Sequence, residues 1–352
     1  MCIYLGDRDD LTYNKQEHVF PAGLGGKQML DNGVVSDQAN EMFSPLELKL
    51  MHSSLIAFDR MMFGPGKRGS LNPRDASKSR VNVGQQDNGL PILCYTALAK
   101  PYNIPQFYLH ENEFVVSAPV EHNDSEKQFN EFCDSLKKFE EKYVYLQSDY
   151  VPIGDILIGS YNGTIYVSSA AEYLDKQKVQ KEITRFLNGF KIQDIHKSEH
   201  HTKQSLLLEE NSDIARVYAK VAINALAFLK GQDYVKHPNF NEIKKWIVTG
   251  NPESEEKYSF LPGIQNKPLD IMGIIPDKAH WCFFVCNHNS LEAIVCFYNR
   301  YYRRFTLCDL TNVRNLFPDG FICDWQNKRE YSMLQIIENK VQEYNPDLIT
   351  NL

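Results

Sequence analysis

The stretch Ile214–Leu229 constrains this chain more than any other, because it is apolar on nearly every side. A helix without a polar face cannot lie on a surface, so the spacing predicts a buried helix with its part of the chain packed around it. Its greasiest run, Val221–Leu229, is interrupted by Asn224 and flanked by Lys220 and Lys230. No apolar run approaches the roughly 18 residues that a membrane-spanning helix needs, which points to burial in protein and to no membrane partner. The 352 residues leave room for about two domains at roughly 150 residues each. Hydrophobic types at 43% and charged types at 24% are those of a globular chain. The net charge of −7, from 38 Lys and Arg against 45 Asp and Glu, excludes an overall positive coat and leaves room for a local basic patch.

The opening MCIYLGDRDD has neither a basic nor an apolar leader region and reads as no signal peptide. Eight cysteines are scattered along the chain, a usage that fits reduced thiols and a cytoplasmic protein. Cys282 and Cys286 lie in the apolar run WCFFVC. Four residues apart on a strand they share a face, which reads as two buried thiols and not a metal pair. HKSEHH places His196 and His200 four apart, but its polar surroundings read as an exposed loop. No hydrolase elbow, phosphate-binding loop or dinucleotide motif is present.

The pattern is α+β, without the strict βαβ alternation of a doubly wound sheet. Ser44-Pro-Leu-Glu47 reads as a capping box with Pro at the first helical position, opening a helix that runs to Phe63. Leu48, Met51, Leu55, Phe58 and Met62 would form its apolar face. Phe129–Tyr145 and Lys178–Phe190 read as amphipathic helices, and residues 331–344 as a last helix. ILIGSYNGTIYV reads as a hairpin turning at Asn162-Gly163. His280–Leu307 reads as two strands. The expected division is a module over 1–63, a basic loop over 64–89 and a larger α+β domain over 90–352.

The chemistry is concentrated in the first fifty residues, which run Cys2-Ile-Tyr-Leu5, Glu17-His18-Val-Phe-Pro21, Leu24-Gly25-Gly26, Asn32-Gly-Val, Asn40 and Phe43-Ser-Pro-Leu-Glu47. Hydrolysis of a phosphodiester needs water, a base to deprotonate it, and a cation to stabilise charge on the phosphate. Neutral His is the side chain best matched to the base near neutral pH. A hard divalent ion takes carboxylate and carboxamide oxygens.

In order and spacing these pieces resemble the HNH endonuclease family, in the subgroup that opens with CxxC and carries EH..P..LGG. The resemblance implies an N-terminal ββα-metal module. It assigns His18 as general base, Glu17 and Asn40 as ligands of one Mg²⁺ or Mn²⁺, and Asn32 as the residue that holds the loop and orients His18. Pro21 and Gly25-Gly26 would shape the loop between the strands. The subgroup also holds a structural zinc through two CxxC pairs, and here the four positions read Cys2, Leu5, Ser36 and Ala39. One thiol cannot hold a tetrahedral zinc, so no structural zinc is expected, with packing by Leu5, Val35 and Ala39 in its place.

The basic run Lys67, Arg68, Arg74, Lys78 and Arg80 reads as a phosphate track beside that centre. DNA is the favoured substrate, because the family mostly cuts DNA. A small nuclease joined to a large second domain resembles bacterial effectors of phage defence or restriction. Two alternatives stand beside the active nuclease. One is a catalytically silent nucleic-acid- or protein-binding module. The other is a nuclease active only within a complex, through a protein partner or a homodimer, which the negative net charge favours.

Overall fold

A computed structural model describes residues 1–64, 76–119, 125–140, 142–190, 200–258, 260–265, 267, 273–287, 289–309 and 319–344. The fold is α+β, and the chain divides into two compact units, one of residues 1–77 and 208–352 and the other of residues 78–207. The first unit opens with α1 (Asp37–Ser53) and α2 (Leu55–Phe63). The inserted unit carries β1 (Asn82–Gln86), β2 (Pro91–Ala97), β3 (Lys100–Asn103), β4 (Gln106–His110), β5 (Glu113–Ser117), α3 (Ser125–Leu136), β6 (Tyr143–Gln147), β7 (Ile156–Tyr161), β8 (Thr164–Ser169), α4 (Lys176–Gly189) and β9 (Thr202–Gln204). The first unit resumes with α5 (Ser212–Lys230), α6 (Gln232–Val235), α7 (Asn241–Thr249), α8 (Glu255–Tyr258), β10 (Gly263–Ile264), β11 (His280–Asn287), β12 (Ser290–Phe297), β13 (Tyr301–Asp309), β14 (Asp319–Asp324), β15 (Arg329–Ser332) and α9 (Met333–Tyr344).

In the first unit α5 is the axis, as its all-round apolar sequence requires. Fourteen of its residues, Ile214 to Ala227, are buried. It packs between α1 and an antiparallel sheet of order β10-β13-β12-β11-β14-β15. Cys282 and Phe284 of β11 face α5 in a core that also takes in Val19, Phe20, Leu24, Phe43 and Leu50. Trp281 and Phe283 face the other way, into a second cluster with Ile274, Ile322 and, at its margin, Ile336 of α9. A strand buried on both faces reads as a continuous apolar run, which is why WCFFVC shows no alternation.

The N-terminal segment therefore shares one core with α5 and the sheet. This division differs from the expected boundaries near residues 63 and 90, because the apolar partners of residues 1–63 lie beyond residue 208 in sequence.

In the inserted unit a sheet of order β3-β2-β1-β9 packs on a sheet of order β5-β4-β7-β8-β6. Helices α3 and α4 cover the second sheet's other face through Phe132, Leu136, Ile183 and Phe186. The expected hairpin is present, with Tyr161 opposite Thr164 and both Asn162 and Gly163 at positive φ.

Other expectations are corrected. The helix expected over Phe129–Tyr145 stops at Leu136, and Tyr143–Gln147 instead forms β6, parallel to β8. Its sequence YVYLQ is aromatic and branched, and suits a pleated surface. Three strands, not two, span residues 280–309. Of the CxxxC pair, Cys282 is buried but Cys286, near the strand's end, is exposed.

Helix α1 begins at Asp37, so Ser44 and Glu47 lie inside it and form no capping box. The cap is Ser36, whose Oγ accepts from the Ala39 amide. Pro45 is carried within the helix, where it lacks the amide that would bond one turn back. The helical run breaks at Ser54, whose backbone is extended and whose Oγ accepts from the Ile56 amide. Its face differs from the expected one, since Leu48 and Phe58 are exposed while Phe43, Leu50 and Ile56 are buried. No helix among the described residues is long and apolar enough to cross a membrane.

Candidate active site

The loop that carries His18 is set by short backbone pairing. The Val19 amide donates to the Gln28 carbonyl at 2.9 Å and the Leu30 amide to the Glu17 carbonyl at 2.8 Å, with His18 opposite Met29. The connection is compact. Gly25 closes a short 3-10 turn at φ 95°, a conformation that favours glycine. Gly26 has no room for a side chain, because a Cβ there would sit 2.0 Å from the Phe20 carbonyl oxygen.

Three distant side chains brace this loop. His280 Nε2–H donates to the Leu24 carbonyl at 3.0 Å, and its Nδ1 accepts from the Tyr298 amide at 2.9 Å. Arg60 Nε donates to the Gly23 carbonyl at 3.1 Å. The Glu330 carboxylate accepts from the amides of Lys27 and Gln28. Burial pushes His280 down to about 3, so it is the neutral ring, with one donor and one acceptor, that fits between its partners.

Below the loop lies a buried ionic cluster. Lys220 of α5, 1% exposed, places its ammonium between the carboxylates of Glu17 and Glu47 and pairs with both. Asn224, one turn further along α5, donates to the His18 carbonyl at 2.9 Å and to Glu17 Oε1 at 3.4 Å. Its own Oδ1 accepts from the Tyr4 hydroxyl at 2.7 Å. The Phe43 ring lies 5.4 Å from Lys220 Nζ. Burial alone would lower Lys220, but the carboxylates of Glu47 and Glu17 outweigh it and hold the ammonium above its ordinary range. Burial raises Glu17 against the opposing pull of Lys220, and Glu47 adds to the rise. Of the polar residues inside the apolar stretch of α5, Lys220 and Asn224 thus reach the candidate centre, while Arg216 donates to the Ile247 and Val248 carbonyls.

His18 is half-buried. Burial lowers it below its ordinary value; the nearby Glu47 opposes this and Lys220 adds to it. The ring is neutral near pH 7, the form a general base needs, and among the described residues it takes part in no hydrogen bond. Asn40 lies in the first turn of α1, on one helical face with Phe43 and Glu47. Its Oδ1 is buried without a hydrogen-bond partner among the described residues. Asn32 is placed differently from the expectation. It is exposed in the turn after Leu30 and makes no hydrogen bond among the described residues, and the amide that holds the His18 backbone is Asn224.

Of the basic run, Lys67, Arg68 and Arg74 lie outside the described residues. Lys78 donates to the Tyr161 hydroxyl at 3.0 Å and lies over the rings of Tyr95 and Tyr161, while Arg80 is exposed. His196 also lies outside the described residues, and His200 pairs with Asp87 at 2.8 Å.

The oxygens of Glu17 and Asn40 are of the type that suits Mg²⁺ or Mn²⁺. As arranged, however, they do not fit a bound divalent ion, because the Glu17 carboxylate is turned to Lys220 and Asn224. Among the described residues no three His, Cys, Asp or Glu side chains are grouped to hold a metal.

At the four positions matching the subgroup's zinc ligands, Cys2 Sγ accepts from the Ser36 amide at 3.4 Å. Ala39 is fully buried and Leu5 packs against the same core, as does Val35 beside them. The neighbouring Asp37 carboxylate accepts from Thr12 Oγ1 at 2.7 Å and from the amides of Asn14 and Lys15. These bonds, led by that of Thr12, pull Asp37 down to about 2.

Glu47, Lys220, Asn224 and Tyr4 were not legible as site residues from the N-terminal pattern. The available signal was Lys220 and Asn224, four apart in the most apolar part of α5, since a buried charge must find a partner. Comparison of the chain with protein-family models, curated proteins and solved structures finds no match.

Proposed function

We propose that the segment from Glu17 to Glu47 is a phosphodiester-hydrolysing centre of the HNH type that acts on nucleic acid, with DNA favoured. One observation carries this reading. The paired segments around His18 and Met29 lead into α1, which carries Asn40 and Glu47 on one face, and the Glu47 carboxylate acts on a neutral, half-buried His18.

In this reading the His18 ring accepts the proton of a water molecule attacking phosphorus. Backbone pairing of residues 17–19 with residues 28–30 holds His18 in place. A divalent Mg²⁺ or Mn²⁺ would supply charge neutralisation on the phosphate only where Lys220 has released Glu17. A phosphate-binding role for the basic run Lys67, Arg68, Arg74, Lys78 and Arg80 rests on the sequence alone. On a chain of net charge −7 such binding falls steeply with salt. The free thiols support a reducing, cytoplasmic setting, and a role in phage defence or restriction follows from the resemblance alone.

The pairing of Glu17 with Lys220 favours a second reading, a silent nucleic-acid- or protein-binding module. Cleavage of supercoiled plasmid at low salt separates them, run with EDTA, Mg²⁺ or Mn²⁺ on the wild type, His18→Ala, Lys220→Ala and Lys220→Ala/His18→Ala. The proposal expects metal-dependent nicking by Lys220→Ala, where Glu17 is free to take the ion, that Lys220→Ala/His18→Ala lowers by about 100-fold or more. Nicking that survives His18→Ala contradicts it, and no nicking by either the wild type or Lys220→Ala leaves the silent module.

A further inference from the structure

We propose that Lys220 is an internal cation of this centre, whose ammonium sits between Glu17 and Glu47 and keeps a divalent ion off Glu17. The inference rests on reading Glu17 as part of the centre, and it supplies a regulation of that site. Three observations carry it.

The first is occupancy. Lys220 is 1% exposed and pairs with Oε1 of both carboxylates, so a divalent ion bridging these two oxygens must displace the ammonium. The second is charge. Two carboxylates and one ammonium leave a surplus negative charge in a buried place, whereas two carboxylates and a divalent ion would balance. The surroundings therefore accept a divalent ion once the ammonium is gone. The third is the buried Asn40 Oδ1, an oxygen acceptor with no donor among the described residues, on the helical face it shares with Glu47.

Lys220 belongs to α5, which is locked at both ends of the polar stretch. Tyr4 and His18 hold Asn224, and Phe43 lies against the Lys220 ammonium. Displacing the ammonium would free Glu17, so the isolated wild-type chain is expected to be latent.

Mn²⁺ binding to the full chain, followed by electron paramagnetic resonance with Mn²⁺ alone as the probe, tests this without reference to cleavage. Wild type is expected to leave Mn²⁺ free, or to bind it only at places unaffected by Glu17→Gln. Lys220→Ala is expected to bind one further equivalent, to lose it in Lys220→Ala/Glu17→Gln, and to gain thermal stability from Mn²⁺ where the wild type gains none. A wild-type site that Glu17→Gln abolishes overturns the proposal. So does a folded Lys220→Ala that binds no additional ion, and so does an unfolded Lys220→Ala that Mn²⁺ does not restore, since the ion is held to fit between the same carboxylates. If Lys220→Ala gains its ion and the plasmid stays intact, the internal cation stands and the nuclease reading falls.

Discussion

Two places in the first unit lie where the HNH resemblance asks for a metal, and the chain treats them in opposite ways. Around Cys2 and Ser36 three zinc-ligand positions carry no ligand, and what remains is a weak sulfur acceptor, the buried Val35 and Ala39, and a helix cap. Around Glu17 the charges remain and an ammonium from α5 balances them. A structural metal can be exchanged for packing when the chain is long enough to bury its own core. A buried carboxylate cannot be treated that way, because its desolvation is costly without a cation. The neutral site should therefore tolerate substitution and the charged one should not.

The largest expected effect is at Lys220. Lys220→Ala leaves two carboxylates buried without their partner and should cost about 3–5 kcal/mol in urea unfolding. Adding Glu17→Gln should recover part of that loss, since it removes one of the stranded charges. Cys2→Ala should cost far less, and an equal cost at both would break the comparison.

His280 comes next, as a neutral brace on the Leu24 loop. Its value in the fold, about 3, lies below the roughly 6.5 of an unfolded histidine. The unfolded state therefore binds the extra proton as pH falls below about 6.5, and stability drops by about 1.4 kcal/mol per pH unit toward the folded value. His280→Gln should remove that slope.

Ser36→Ala, which deletes the cap of α1, should cost about 1 kcal/mol. Asp37 runs with the same sign as His280, in a lower pH window. Its stabilisation is present above about 3.9 and is lost as pH falls through about 2, so Asp37→Asn should flatten the acid limb of a thermal-melt series. The smallest readout is the His18 ring, whose titration by NMR should have its midpoint below the ordinary histidine value, with burial as the cause.

Much of this was legible from local sequence. The all-apolar α5, the Asn162-Gly163 hairpin and the Gly25-Gly26 turn follow from side-chain character and backbone freedom within a few residues. The start of α1 was misjudged because Ser44-Pro45 imitates a helix start, while the true cap at Ser36 competes on equal chemistry. The partners of the candidate site were hidden for a different reason. Lys220 and Asn224 lie some 200 residues from Glu17 and His18, and only the packing of α5 against α1 brings them together. A resemblance confined to the N-terminal segment cannot show what the rest of the chain inserts into it.

The central claim is the identity of the cation at Glu17, and a crystal structure grown with Mn²⁺, with anomalous data at the manganese edge, tests it most directly. The account predicts no anomalous peak between Glu17 and Glu47 in the wild type, with Lys220 Nζ in that place, and a peak there in Lys220→Ala. A manganese peak bonded to Glu17 in the wild type, with Lys220 turned aside, would contradict it.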